Sequence, residues 1–206
     1  MLDLYCERLG PGLLAEPLNA FTNLAFLLAA LHAWRGANGR ADARLLAALI
    51  AVIGLGSGLF HTLATPAAQW CDVLPIGIFQ LSFLMLYLRH VRGLAVAACA
   101  AWLAAFVIAL AAAAPLTAPL NGSLAYAPAL VALTALGVSH LRRLQDPGLL
   151  LAAALFLVSL TARSLDLALC ARWPAGTHFL WHLLNALLLG SLVQLYTRAR
   201  ESLSPR

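Results

Sequence analysis

The 206-residue sequence contains no lysine, and only 10% of its residues are charged. The first absence excludes a retinal-type Schiff base, which needs a lysine amine. The second excludes a water-soluble domain, in which roughly a quarter of the residues carry charge. Disorder is excluded from the other side: a disordered chain needs low hydrophobicity, whereas 63% of these residues are hydrophobic and the mean hydropathy is +0.88. A basic region ahead of the first apolar run is also missing. Residues 1–16 hold Asp3, Glu7, Arg8 and Glu16, so the segment does not read as a cleavable signal peptide and is expected to stay in the mature protein. There is no linker, low-complexity tract or repeat beyond an Ala/Leu bias. What is left is an integral membrane protein.

A helix needs about twenty apolar residues to cross a hydrocarbon core of about 30 Å. Between Gly, Pro and Arg punctuation, seven windows meet that need, approximately 18–34, 44–64, 72–89, 93–114, 124–141, 148–170 and 177–197. The connections are too short for a second domain. The sequence therefore predicts an all-α bundle of seven transmembrane helices that occupies residues 1–206 as one domain. Arginine sorts the loops. Arg35, Arg40, Arg44, Arg89, Arg92, Arg142, Arg143, Arg198, Arg200 and Arg206 fall on one side, Arg8 and Arg172 on the other, and Arg163 inside the sixth span. Cytoplasmic loops hold the excess of positive charge, so ten against two predicts the N-terminus outside and the C-terminus in the cytoplasm. This placement reads as an orientation signal rather than a nucleic-acid surface. Arginine in place of lysine, with the Ala/Leu bias, points to a GC-rich bacterial genome and hence to an inner membrane whose outer face meets the periplasm.

An ionisable group inside a span is costly and by default points to function. By depth, His32, His90 and His140 fall at cytoplasmic ends and read as interfacial residues. His61, His178 and His182 fall near the outer ends of the second and seventh spans, where Asp72 opens the third. Ser57 lies one turn below His61 on the same helical face. The segment T-H-F-L-W-H places His178 and His182 at i and i+4, so two imidazoles from one helix can bind one ion. Spacing alone also fits an interfacial pair beside Trp181, but a third His at the same depth favours a metal. Three imidazoles with an open fourth position describe a catalytic zinc site. In that company Asp72 is expected to orient or deprotonate the attacking water, and Ser57 to donate a hydrogen bond to a developing oxyanion. Alone, Asp72 reads as a helix cap and Ser57 as a residue bonded to its own backbone or packed between helices. Trp70, Trp173 and Trp181 form an aromatic belt on the same side. Arg163 and Asp166 are spaced for an i, i+3 ion pair within the sixth span, while Glu16, Asn19, Thr22 and Asn23 read as polar packing between helices, with no chemistry expected of them beyond support of the site. The rival class is a transporter or receptor using buried His and Asp. Its difficulty is that such sites lie near the midplane on broken helices, whereas these groups gather at one end.

The set G-S-G-L-F-H at 56–61, Asp72 eleven residues after His61, and G-T-H-F-L-W-H-L-L-N-A at 176–186 resembles the alkaline ceramidases. These belong to a superfamily of seven-span hydrolases that includes adiponectin receptors and Per1-type proteins. The resemblance covers nearly the whole chain, with Y-C-E at 5–7, A-E-P-L-N at 15–19, and Asp166 with Cys170 at the end of the sixth span. It implies a zinc-dependent amidohydrolase that cleaves a ceramide-like N-acyl lipid to a fatty acid and a sphingoid base. His61, His178 and His182 match the zinc ligands, and Ser57 and Asp72 match the remaining catalytic positions. A calcium site near the N-terminus is implied for Glu7 and Glu16 with Asp3, although Asp3 is one position from the expected acid and Leu9 stands where an amide ligand is expected. Cys6 and Cys170 lie on the outer side, where an oxidising compartment permits a disulfide. The resemblance favours that pair. Cys71 is an alternative partner, and Cys99 reads as a small apolar residue within the fourth span. An ester of a phospholipid or a GPI lipid is the alternative substrate on the same zinc.

Overall fold

The computed structural model describes residues 1–117 and 119–203, so Arg206 lies outside the described residues. The chain runs through α1 (Pro17–Thr22), α2 (Leu24–Arg35), α3 (Ala41–Leu63), α4 (Pro66–His90) and α5 (Val96–Ala113). Two short 3₁₀ segments, Ala114–Thr117 and Pro119–Tyr126, lead to α6 (Ala127–Leu144), α7 (Gly148–Leu169) and α8 (His178–Ser202). No strand occurs among the described residues. Six helical segments are long and apolar enough to cross a membrane: α3, α4, α5, Leu120–Leu144, α7 and α8. This is the composition of a multi-pass membrane protein, because within lipid every backbone polar group must be satisfied inside its own helix.

The expected first span, 18–34, is divided at Asn23 into the shorter α1 and α2. Pro17 at the first helical position supplies a preset φ. The free N–H groups of Leu18 and Asn19 donate to the Glu7 carboxylate at 2.7 and 2.8 Å. The third span begins at Pro66, not at Asp72. Thr65 accepts from the Ala68 amide at 3.2 Å as N-cap and Pro66 follows it, a pairing of cap and N1 proline that starts a helix more strongly than the Asp six residues later. Only Ala64 and Thr65 join α3 to α4, so the two helices are antiparallel neighbours.

Helices α2 to α8 pack in chain order and close into a ring through α2 against α8. The core inside the ring is built from Leu46, Ile50 and Ile53 of α3, Phe79 and Tyr87 of α4, Leu149 of α7 and Tyr196 of α8. Outward-facing Leu55, Trp102, Ile108, Val131 and Leu151 are exposed, as lipid-facing apolar residues are. Lipid tails are as apolar as leucine, so helix association rests on close van der Waals packing and on small residues at the contacts. Gly56 is such a contact: a Cβ there would overlap the Cys71 carbonyl of α4. The N-terminal segment lies over one end of the bundle. Leu2 donates to the Ala64 carbonyl at 2.7 Å, and Cys6 is disulfide-bonded to Cys170. Arg35, Arg40, Arg44, Arg89, Arg92, Arg142, Arg143, Arg198 and Arg200 all lie toward the opposite end. His140 is also there, but it is buried at 1% exposure between helices, not interfacial. Its α6 position faces Tyr87 of α4, which gives it a hydrogen-bonding partner away from water.

Candidate metal centre and catalytic groups

His61 sits in the last turn of α3, His178 is the first residue of α8 and His182 follows one turn later. All three are buried, at no more than 1% exposure. Their ring centroids are 4.7–5.2 Å apart, and one ligand nitrogen from each lies within 4.8 Å of the others. His61 Nε2, His182 Nε2 and His178 Nδ1 are buried and have no hydrogen-bond partner. Buried ring nitrogens are ordinarily paired, and three unpaired in one place call for an explanation.

The other nitrogens of two of these rings are fixed. His61 Nδ1 lies 2.5 Å from Glu16 Oε2, so it is the protonated nitrogen donating to a carboxylate. His182 Nδ1 lies 2.9 Å from Thr22 Oγ1. The Thr22 hydroxyl gives its own proton to the Leu18 carbonyl at 2.8 Å, so it accepts from His182. The network thus assigns the Nδ1–H tautomer to both rings and leaves each Nε2 lone pair free. Partners of this kind orient metal-binding imidazoles and raise their basicity. His178 is held differently: the Tyr5 ring stacks on it with centroids 3.6 Å apart, and its amide donates to Asp166 Oδ1 at 2.9 Å.

Glu16 joins these parts. Its carboxylate is ion-paired with Arg8 and accepts from Asn19 Nδ2 at 3.1 Å. Burial works against its ionisation, but hydrogen bonds from His61, Arg8 and Asn19 outweigh it and hold the carboxyl below its ordinary range. Arg8 is buried and also donates to the His61 carbonyl at 2.8 Å, a cation at the C-terminal end of α3 where the helix dipole favours one. For Tyr5, burial pushes the phenol up to about 12 despite the Arg163 guanidinium beside it, so it stays protonated.

Ser57 lies one turn from His61 and hydrogen-bonds to the Asp72 carboxylate, which also faces His61 and Arg163. The close approach that Gly56 permits between α3 and α4 brings this pair together. Asp72 lies well inside α4, past the free N–H groups that a cap would serve, so the capping alternative does not apply.

One expectation changes. Asp166 does not pair with Arg163; it accepts from the amides of Cys6 at 3.0 Å, Thr177 at 2.7 Å and His178 at 2.9 Å. A carboxylate from α7 thus caps the start of α8, because free N–H groups of a helix terminus attract an anion. Gly176, at φ +62°, gives this carboxylate room that a side chain would fill. Among the described residues the His trio is the one group of three or more His, Cys, Asp or Glu whose ligand atoms converge. Asp3 is exposed, Glu7 caps α1, and Glu16 serves Arg8 and His61. Glu16 and Thr22 give the support left open for them, since each holds one histidine. Their spacing with Asn19 at every third residue, on one face of α1, is the signal in the sequence. Nothing there announces Arg8 or Tyr5 as partners of the trio. Cys71 and Cys99 are free thiols, exposed and buried respectively.

Three imidazoles that offer ligand atoms within 4.8 Å of one another and each carry an unpartnered ring nitrogen, two of them oriented from behind, fit a metal ion. Two cavities are lined by neighbours of the trio, Phe26 beside His182 and Tyr5 beside His178. One of about 90 Å³ runs through the bundle interior past Phe26, Phe79, Phe106 and Trp181, and is almost wholly apolar. The other, of about 510 Å³, is lined by Tyr5, Gln69, Val73, Asn121 and Arg163 and shares Ile76, Gln80 and Tyr126 with the first. In sequence comparison a protein-family model described as Ceramidase matches residues 11–201. No curated protein matches the chain.

Proposed function

The chain belongs to the ceramidase family of amide hydrolases, and on that premise we propose that it is a zinc-dependent intramembrane amidohydrolase. Its reaction is cleavage of the N-acyl amide of a ceramide-like lipid to a fatty acid and a free sphingoid base. The observation that carries this reading is the set of three converging ring nitrogens left without partners beside a Ser57–Asp72 pair. His61, His178 and His182 would hold the ion. A zinc ion bound by three imidazoles supplies Lewis acidity and brings the pKa of a water at its open position to about 7.

The chain's own groups do the rest. Asp72 accepts a proton from the attacking water and passes it to the leaving nitrogen, the work of a positioned general base that becomes a general acid. Ser57 carries one hydroxyl proton, which turns from Asp72 to the acyl oxygen as negative charge develops there. Glu16 and Thr22 keep the two imidazoles in the tautomer that offers Nε2. The apolar cavity suits an acyl chain, and the wider one suits the polar head.

The same reading covers topology. Helices α1 and α2 together span Pro17–Arg35, and at about 1.5 Å per residue their 19 residues reach about 28 Å, close to a hydrocarbon core. They would make the first of seven crossings in a single domain. The arginine-rich end faces the cytoplasm and the N-terminus lies outside. The Cys6–Cys170 bond suits an oxidising periplasm beyond a bacterial inner membrane.

The test is direct. Purified protein is incubated with N-acyl and O-acyl lipids of matched chain length, and released fatty acid is identified by mass spectrometry. Fatty acid from the N-acyl lipids, abolished by chelation and restored by zinc, is expected. Release from O-acyl lipids alone would move the activity to esters, and no release from metal-loaded protein would remove the hydrolase reading.

A further inference from the structure

Arg163 is a cation in the interior of α7 that forms no ion pair with any described residue. Asp166, three residues on, is engaged by three backbone amides. The guanidinium is caged instead by aromatic faces, with its carbon 5.7 Å from the Tyr5 ring centroid, 5.6 Å from that of Tyr126 and 5.2 Å from that of Trp181. One N–H donates to the Tyr5 hydroxyl at 3.1 Å. Nε is buried and has no partner. Aromatic faces and a phenol return part of what a guanidinium loses on leaving water, but they carry no compensating charge. An ionisable group in a span, here half-buried, is expected to meet its counter-charge from a neighbour or from a ligand, and no neighbour supplies one in contact.

The cavity of about 510 Å³ is where a ligand would supply it. Arg163 is the one charged residue on its wall, and Gln69, Gln80 and Asn121 add amide donors. The wall also includes Val73, the residue after Asp72, and Tyr5, which stacks on His178. A head bound here is one ring away from His178, across Tyr5, while Arg163 on the wall is also felt by Asp72. Guanidinium offers a planar fork of five donors suited to an oxyanion, and only one of them is committed to Tyr5.

We propose that Arg163 receives an oxyanion on the polar head of the substrate, so that the preferred N-acyl lipid is one bearing a phosphate, sulfonate or carboxylate close to its amide. This rests on the amidohydrolase reading for the bond that is cut, but not for the charge that is bound. Asp72 acts on Arg163 across a distance, so the competing role for Arg163 is to support Asp72 alone.

Full-length, metal-loaded protein in a neutral detergent tests it. Hydrolysis of N-palmitoylsphingosine and of its 1-phosphate is compared, together with binding of the matched urea analogues, in which the amide is replaced by a group that is not cleaved. Wild type should favour the phosphate-bearing lipid by about tenfold or more in both measurements, as charge-assisted hydrogen bonds allow. Arg163→Gln should erase the preference at unchanged zinc content. Because Arg163 braces Tyr5, a second variant guards against misfolding: Asn121→Asp keeps the three aromatic faces, gives up only the bond from Asn121 Nδ2 to the Arg163 carbonyl at 3.3 Å, keeps a residue type tolerant of the local φ of +51°, and puts a carboxylate on the same wall. It should lower the preference at least threefold. Equal handling of the two lipids by wild type, an equal loss on both in Arg163→Gln, or an unchanged preference in Asn121→Asp would each overturn the proposal. Selective binding without hydrolysis would refute the amidohydrolase and leave Arg163 in its role. Hydrolysis without selectivity would do the reverse.

Discussion

Buried imidazoles occur at both ends of this bundle, and they differ in what their ring nitrogens meet. At the arginine-rich end His140 Nδ1 lies 2.7 Å from the Tyr87 hydroxyl and Nε2 lies 3.4 Å from Asp146 Oδ2. Nearby, His90 Nδ1 is 2.9 Å from the Tyr196 hydroxyl, which donates to Asp42 at 2.5 Å, while Arg200 pairs with the same carboxylate. These groups satisfy one another and tie α3, α4, α6 and α8 together. At the other end His61 and His182 each use one nitrogen on a fixing partner and leave the second bare, and His178 leaves Nδ1 bare. Burial is common to both ends, so it does not mark function. Incomplete pairing calls for an explanation, and three bare ring nitrogens gathered in one place point to something bound there.

The sharpest way to break this comparison is to remove one histidine from each end. His178→Ala should abolish both metal content and hydrolysis, whereas His140→Ala should leave both within about twofold of wild type once the folded fraction is normalised. Elemental analysis and fatty-acid release on the same preparations decide it. Next in size is Asp72→Asn. It should keep the metal and lose about 10²–10⁴-fold in rate, as removal of a general base commonly does, with Ser57→Ala losing less. Loss of metal together with activity would make Asp72 a ligand. Glu16→Gln acts one step further out. It keeps the volume but weakens the hold on His61, and a chelator competition should show metal affinity lower by about 10–100-fold. Smallest is Tyr87→Phe at the opposite end, which strands His140 Nδ1. It should cost about 1–3 kcal/mol in thermal or denaturant unfolding with no change in metal content.

The sequence made the membrane class, six of the helices and the depth of His61, His178 and His182 legible because each rests on a local rule: run length, punctuation and the i, i+4 spacing. Asp72 and Ser57 were visible only as neighbours of that trio. What the sequence hid depends on tertiary pairing. Arg163 and Asp166 have the spacing of an ion pair, yet Asp166 turns to the amides that open α8, and no i, i+3 rule contains a competing helix terminus. Glu7 and Glu16 hold a helix start and His61, partners that no spacing rule announces. The split at Asn23 is likewise invisible to a hydropathy window, since the residues on both sides of it are apolar enough to continue.

The central claim is that the three bare nitrogens exist to hold a zinc ion, and zinc-edge X-ray absorption on protein of measured metal content tests it most directly. The account predicts one zinc per chain with three imidazole nitrogens at about 2.0–2.1 Å. A chain that takes up no zinc, or one whose zinc shows sulfur or carboxylate ligands in place of those imidazoles, would contradict it.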